Sequence, residues 1–140
     1  MFCIVKGGTY ALNTTYNITL KNKDFDLYFI LGILNSKPIS FYWTLKFFDY
    51  KATFPKIKKV PLLSIPIPKV SKNAESKLAE NVMKMNDLVK EIKENENKHT
   101  DRILKLIEEA KELDKEIDDL VYGFFNITNE ERTAIENSFK

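Results

Sequence analysis

The chain has 140 residues, 44% of them hydrophobic and 30% charged, a balance that is globular and excludes a disordered chain. A single cysteine, Cys3, excludes an internal disulfide framework and fits a reducing compartment. The formal charge of +2 conceals a division: residues 1–72 hold eleven lysines and three aspartates, a net of +8, and residues 73–140 carry the compensating −6. A basic front half can neutralise phosphates, whereas an acidic rear half is repelled by them.

Taken in order, Phe2–Val5 and Tyr16–Leu20 read as short strands, with Gly7-Gly8 as the turn after the first. Cys3 suits a small buried apolar side chain. Asp24 is placed to cap a helix from Phe25 to Leu34, apolar nearly all round and therefore buried. Its apolar run, Leu27 to Leu34, is too short to span a bilayer. No basic-then-apolar signal opens the chain, so the expectation is a cytoplasmic protein without membrane contact. Asn35-Ser36 ends that helix. Ser36 is placed to cap the next one, with Pro38 just inside its start, where a missing N–H costs nothing. This second helix carries Ile39, Phe41, Tyr42, Trp43, Leu45, Phe47 and Phe48, whose helical spacing beside other apolar residues reads as core. Pro55 enforces extended backbone before Lys56-Ile57-Lys58-Lys59. A single helical turn starts at Pro61, and Ile65-Pro66-Ile67-Pro68 must then be extended.

The stretch from Ala74 to Phe125 carries a seam of period 3.5: Leu78, Val82, Met85, Val89, Ile92, Glu96, His99, Ile103, Leu106, Ala110, Leu113, Ile117, Leu120 and Phe124. As one helix it would run roughly 75 Å, too long for a compact chain of this size. The polar cluster around Glu96 and His99 marks the place for a turn, so a hairpin is favoured over one continuous helix. Asn73 and Thr100 or Asp101 are the expected caps. Asn126 suits the left-handed position after the second helix, and Thr128 with Glu131 forms a capping box. The reading is a basic α+β domain over 1–72. An acidic helical arm over 73–140 follows, with helices at about 74–95, 100–125 and 129–139.

Motifs for catalysis are missing. Four glycines build no phosphate loop in context, and one cysteine with one histidine cannot ligate zinc. Asp114, Asp118 and Asp119 read as a solvated helix face. No cofactor, metal or catalytic residue is expected. Leu88, Ile107 and Val121 widen the seam and, with Leu106, Leu113 and Ile117, suggest an apolar face for a partner.

Four pieces of sequence then fall into a familiar order: Leu31-Gly32-Ile33-Leu34-Asn35-Ser36, Phe54-Pro55-Lys56-Ile57-Lys58, Ile65-Pro66-Ile67-Pro68, and Leu113–Tyr122 with Thr128–Glu131. On these pieces, residues 25–140 resemble the TaqI-like C-terminal specificity domain of type IIG restriction–modification enzymes and adenine-specific DNA methyltransferases. Type I specificity subunits show a related plan. Phe124-Phe125-Asn126 departs from the Leu-Tyr-Gly usual there. The methyltransferase catalytic domain and the front of the recognition domain are not in this sequence, which suggests a half-domain needing a partner or the remnant of a broken gene. The resemblance implies a non-catalytic module that recognises double-stranded DNA. It further implies docking to a methyltransferase or restriction subunit, or pairing as a homodimer, through the arm. Lys51, Lys56, Lys58 and Lys59 are the phosphate candidates. Asn35, Ser36, Lys37 and Tyr50 are the base-edge candidates, although Asn35 and Ser36 equally suit a helix stop and cap. The alternative is an adaptor or remnant with no DNA binding of its own.

Overall fold

The computed structural model describes residues 2–5, 17–21, 24–47, 59–95 and 101–139. These form six helices: α1 (Leu27–Asn35), α2 (Lys37–Phe47), α3 (Lys59–Leu63), α4 (Lys72–Glu94), α5 (Asp101–Phe124) and α6 (Asn129–Asn137). No strand occurs among the described residues. The expected α+β plan, with a mixed N-terminal domain, is therefore corrected to a helical one. The reason is visible at Phe2, whose N–H and carbonyl are both taken by the Asn35 side chain, at 2.8 and 2.9 Å. A side-chain amide stands where a neighbouring strand would pair. Residues 2–5 still alternate, with Phe2 and Ile4 half-buried and Cys3 and Val5 exposed, so Cys3 is not the buried residue expected. Residues 17–20 are exposed and irregular, and Tyr16 lies outside the described residues.

The seam folds back on itself. Arg102 pairs with Glu91, Lys84 with Glu109, and Asn81 with Glu116, so residue numbers rise along one helix as they fall along the other. α4 and α5 are an antiparallel hairpin. These surface pairs each contribute little to stability; they record the register. Stability comes from burial, since Leu78, Val82, Leu88, Ile103, Leu113, Ile117 and Val121 all lie inside. Complete burial of such a side chain is worth about 1.5–3 kcal/mol. Glu96 and His99 lie outside the described residues.

α1 packs along α4, while α2 contacts α1, α5 and α6. Phe29, Ile33, Leu78 and Val121 are fully buried together in this joint core, and Ile65 closes it from the proline-rich connector. α1 approaches α4 closely because residue 32 is glycine: a Cβ there would stand 2.7 Å from Val82 Cγ2. α2 is apolar on every side but incompletely covered. Phe41, Tyr42, Trp43 and Phe47 are half-buried and Leu45 is exposed, so the expectation that these aromatics are core holds only in part.

Several caps differ from the expected ones. Asp26, not Asp24, caps α1, accepting from the Tyr28 and Phe29 N–H groups. Ser71, not Asn73, caps α4 through the Ala74 N–H. At the other end of the hairpin the local signals hold. Asn126 has a φ of 52°, the Ile127 N–H reaches the Tyr122 carbonyl at 3.1 Å, and Thr128 and Glu131 form the capping box of α6.

One carboxylate ties α1 to α4. Buried Glu75 accepts the Asp26 N–H at 2.7 Å on one oxygen and the Lys72 ammonium at 2.8 Å on the other. Lys72 and the Asp26 amide together hold the Glu75 carboxyl below its ordinary value of 4.5. A lowered carboxylate contributes stability that is complete above that value and fades as pH falls through the native one. Acid unfolding followed by circular dichroism below about pH 4.5 will therefore show a weaker pH dependence in Glu75→Gln than in the wild type, together with lower stability at neutral pH. Gly32→Ala will lower the urea midpoint without changing the slope. The clash with Val82, whose β-branched side chain is held in one rotamer in a helix, costs about 1–3 kcal/mol. That outweighs the gain of about 1 kcal/mol in helix propensity.

Candidate nucleic-acid interface

The side chains proposed to touch DNA begin where α1 passes into α2. Asn35 is exposed, and its amide both accepts from and donates to the Phe2 backbone. Ser36 is buried, and its hydroxyl donates to the Ile33 carbonyl at 2.8 Å. It therefore does not cap α2 in the way expected of it. Lys37 turns both its ends toward one residue. Its N–H donates to Asp118 Oδ1 at 2.8 Å, and its Nζ lies 2.8 Å from Asp118 Oδ2. The bond to Asp118 raises the Lys37 pKa above its ordinary value.

Asp118 is only 3% exposed, which overturns its reading as part of a solvated helix face. Spacing along α5 gives a face but not what packs on that face, and here α2 does. Asp114, one turn earlier, has its pKa raised by burial and by Asp118. Asp119 does reach the surface, where Arg132 of α6 bonds it at 2.5 Å. The same guanidinium bonds Glu136 at 2.8 Å and lies over the Tyr122 ring at 4.7 Å. Burial foremost, then Asp118, raises the Tyr122 pKa.

Four described lysines of the front half, Lys21, Lys46, Lys59 and Lys69, have no ion pair, and two of them frame the surface near α2 and α3. Lys59 is exposed at the start of α3. Lys46, near the end of α2, donates to the Tyr42 hydroxyl at 2.6 Å and lies 5.0 Å from the centroid of that ring. Phe47 stands edge-on to Tyr42 and tilted against Trp43, 5.0 Å away. Sequence reasoning passed over this cationic–aromatic cluster because it treated every α2 aromatic as core. Tyr50, Lys51, Lys56 and Lys58 lie outside the described residues. A groove of about 690 Å³ runs between α2 and the hairpin, with Trp43, Met85, Val89 and Ile117 on its apolar walls and Asp114 and Lys93 at its polar margin.

Of the side chains assigned to a partner face, Leu88, Leu113, Ile117 and Val121 lie within this chain's own core, and Leu106 and Ile107 are half-buried. Met83, Val89 and Leu104 are the large apolar side chains that the described hairpin exposes. No group of three His, Cys, Asp or Glu that could hold a metal ion occurs among the described residues, and no described helix is long and apolar enough to cross a membrane.

Residues 1–67 match the family model of the TaqI-like C-terminal specificity domain. The matched family is the one the sequence pieces resemble, and the match spans a little under half of the chain. The match takes in residues 1–24, which the resemblance did not include, covers the first two quoted pieces and ends within the third, at Ile67. The fourth piece, in α5 and α6, lies outside it. No curated protein and no solved structure matches the chain.

Leu113 marks the boundary between core and docking face. Leu113→Asp places an unpaired charge at a site only 5% exposed and will cost several kcal/mol. Its thermal transition will be lost or strongly lowered, whereas Leu104→Asp, at 63% exposure, will melt within a few degrees of the wild type.

Proposed function

We propose that the chain is a non-catalytic DNA-recognition module of a restriction–modification system. In this reading residues 1–72 face double-stranded DNA, and the helical part, residues 73–140, docks onto a methyltransferase or restriction subunit that supplies the chemistry. The observation that carries the reading is the match of residues 1–67 to a specificity domain. The net +8 on residues 1–72 supports it, because phosphate contacts supply most of the affinity in DNA binding. Lys51, Lys56, Lys58 and Lys59 are the phosphate contacts, with Tyr50 available to a base edge. Asn35, Ser36 and Lys37 serve this surface indirectly, because their polar groups hold the junction of α1 and α2. The exposed apolar side chains Met83, Val89 and Leu104 support the docking role of the hairpin, and its net charge makes protein a better neighbour than DNA.

Fluorescence anisotropy on duplex DNA tests the recognition half. Three or four neutralised phosphates give a log–log salt slope of roughly −3, and Lys56→Ala, Lys58→Ala and Lys59→Ala together will flatten it by up to about 3 units. A slope that stays the same in the triple variant removes these lysines from the interface. Incubation with labelled methyl donor will leave DNA unlabelled unless the partner subunit is present. For docking, Leu104→Asp will weaken co-purification with a methyltransferase subunit while leaving the melting temperature nearly unchanged.

A further inference from the structure

α2 lacks the means to close its own first turn. Ser36, the residue before it, spends its hydroxyl on the Ile33 carbonyl, and Pro38 has no N–H to offer. The first donor of the helix, the Lys37 N–H, is taken by Asp118 Oδ1, 81 residues further along the chain. The second oxygen of the same carboxylate faces the Lys37 ammonium. Burying a carboxylate this deeply is costly; only its Oδ1 receives a hydrogen bond, and its Oδ2 has the charge of the Lys37 ammonium beside it but no hydrogen-bond donor. The two partners also belong to different parts of the molecule. Lys37 lies within the segment that matches the specificity domain, and Asp118 lies on the hairpin outside it. α6 flanks α2 as well, and its Arg132 returns to α5 at Asp119.

We propose that Asp118 is a positioning residue: from the hairpin it caps α2 and sets the direction in which that helix leaves Ser36. Lys46, near the end of that helix, thereby takes its placement from the hairpin. The part of this proposal that concerns DNA rests on the recognition reading above. The ion pair is secondary to the cap. The Lys37 side chain is 40% exposed and can turn to water, but its N–H cannot.

The test uses the full chain and two readouts, amide hydrogen exchange by NMR and DNA affinity by anisotropy. Asp118→Ala will speed exchange at the Lys37 amide and through the first turns of α2 by roughly tenfold or more. Exchange along α4 will hardly change, and DNA affinity will fall several-fold. Asp118→Asn keeps an acceptor for the N–H and will restore both readouts to near wild type, a rescue that loss of a charge would not allow. Lys37→Met keeps the backbone bond and will preserve α2 protection. Unchanged exchange in Asp118→Ala overturns the cap, and loosened α2 with unchanged DNA affinity overturns the positioning role. If the wild type binds no DNA, the recognition reading fails by itself and the exchange data still decide whether Asp118 sets α2. Should Asp118→Ala fail to fold, the double variant Lys37→Met/Asp118→Asn carries a neutral cap. Retained α2 protection in it supports the proposal, and lost protection shows that charge alone held the helix and overturns it.

Discussion

A carboxylate out of water must find donors for both its oxygens, and in this chain that requirement joins the two halves. Asp118 meets it in part, with the Lys37 N–H on Oδ1 and only the charge of the Lys37 ammonium beside Oδ2. Glu75 meets it with the Asp26 N–H and the Lys72 ammonium. Each acid sits on the hairpin, and each receives the backbone N–H at the start of a front-half helix, Asp26 before α1 and Lys37 in α2. Hydrophobic contact alone lets helices slide along one another; a buried charge with a single matching donor set does not. The orientation of α1 and α2 on α4 and α5 is in this sense an electrostatic decision made inside an apolar core.

The packing is consistent with that decision. Gly32 lets α1 approach α4 to within contact of Leu78 and Val82, and the same packing sets the start of α1 on Glu75 of α4 and the beginning of α2 on α5. Three of the four sequence pieces that carry the family resemblance contribute to one core: Leu31 to Ser36 through Ile33, the proline-rich connector through Ile65, and α5 through Leu113, Ile117 and Val121. The family match ends at residue 67, but the matched helices complete their burial on residues beyond it.

For recognition, the consequence is a division between frame and contact. Asn35, Ser36 and Lys37 carry polar groups that look available in the sequence, and each is consumed by an internal bond. Lys59, with no such partner among the described residues, is left exposed. The hairpin shows a parallel division. Leu88, Leu113, Ile117 and Val121 are spent on the chain's own core, and the surface left for another protein is the smaller set around Met83, Val89 and Leu104.

The sequence by itself determined whatever depends on residues a few positions apart. The hairpin seam, the capping box at Thr128 and Glu131, and the left-handed Asn126 all follow from contacts within one or two helical turns, and all are present. The family was likewise legible from short pieces in order. Features that depend on distant partners were decided only by the tertiary structure. Phe2–Val5 has the alternation of a strand, but a strand exists only if another pairs with it, and Asn35 occupies its backbone instead. Ser36 and Asp118 were each read by their neighbours, as a cap and a solvated acid. Helical periodicity states which residues share a face, but it is silent on what covers the face. The arrival of α2 on α5 turned a surface aspartate into a buried cap 81 residues away from the helix it closes.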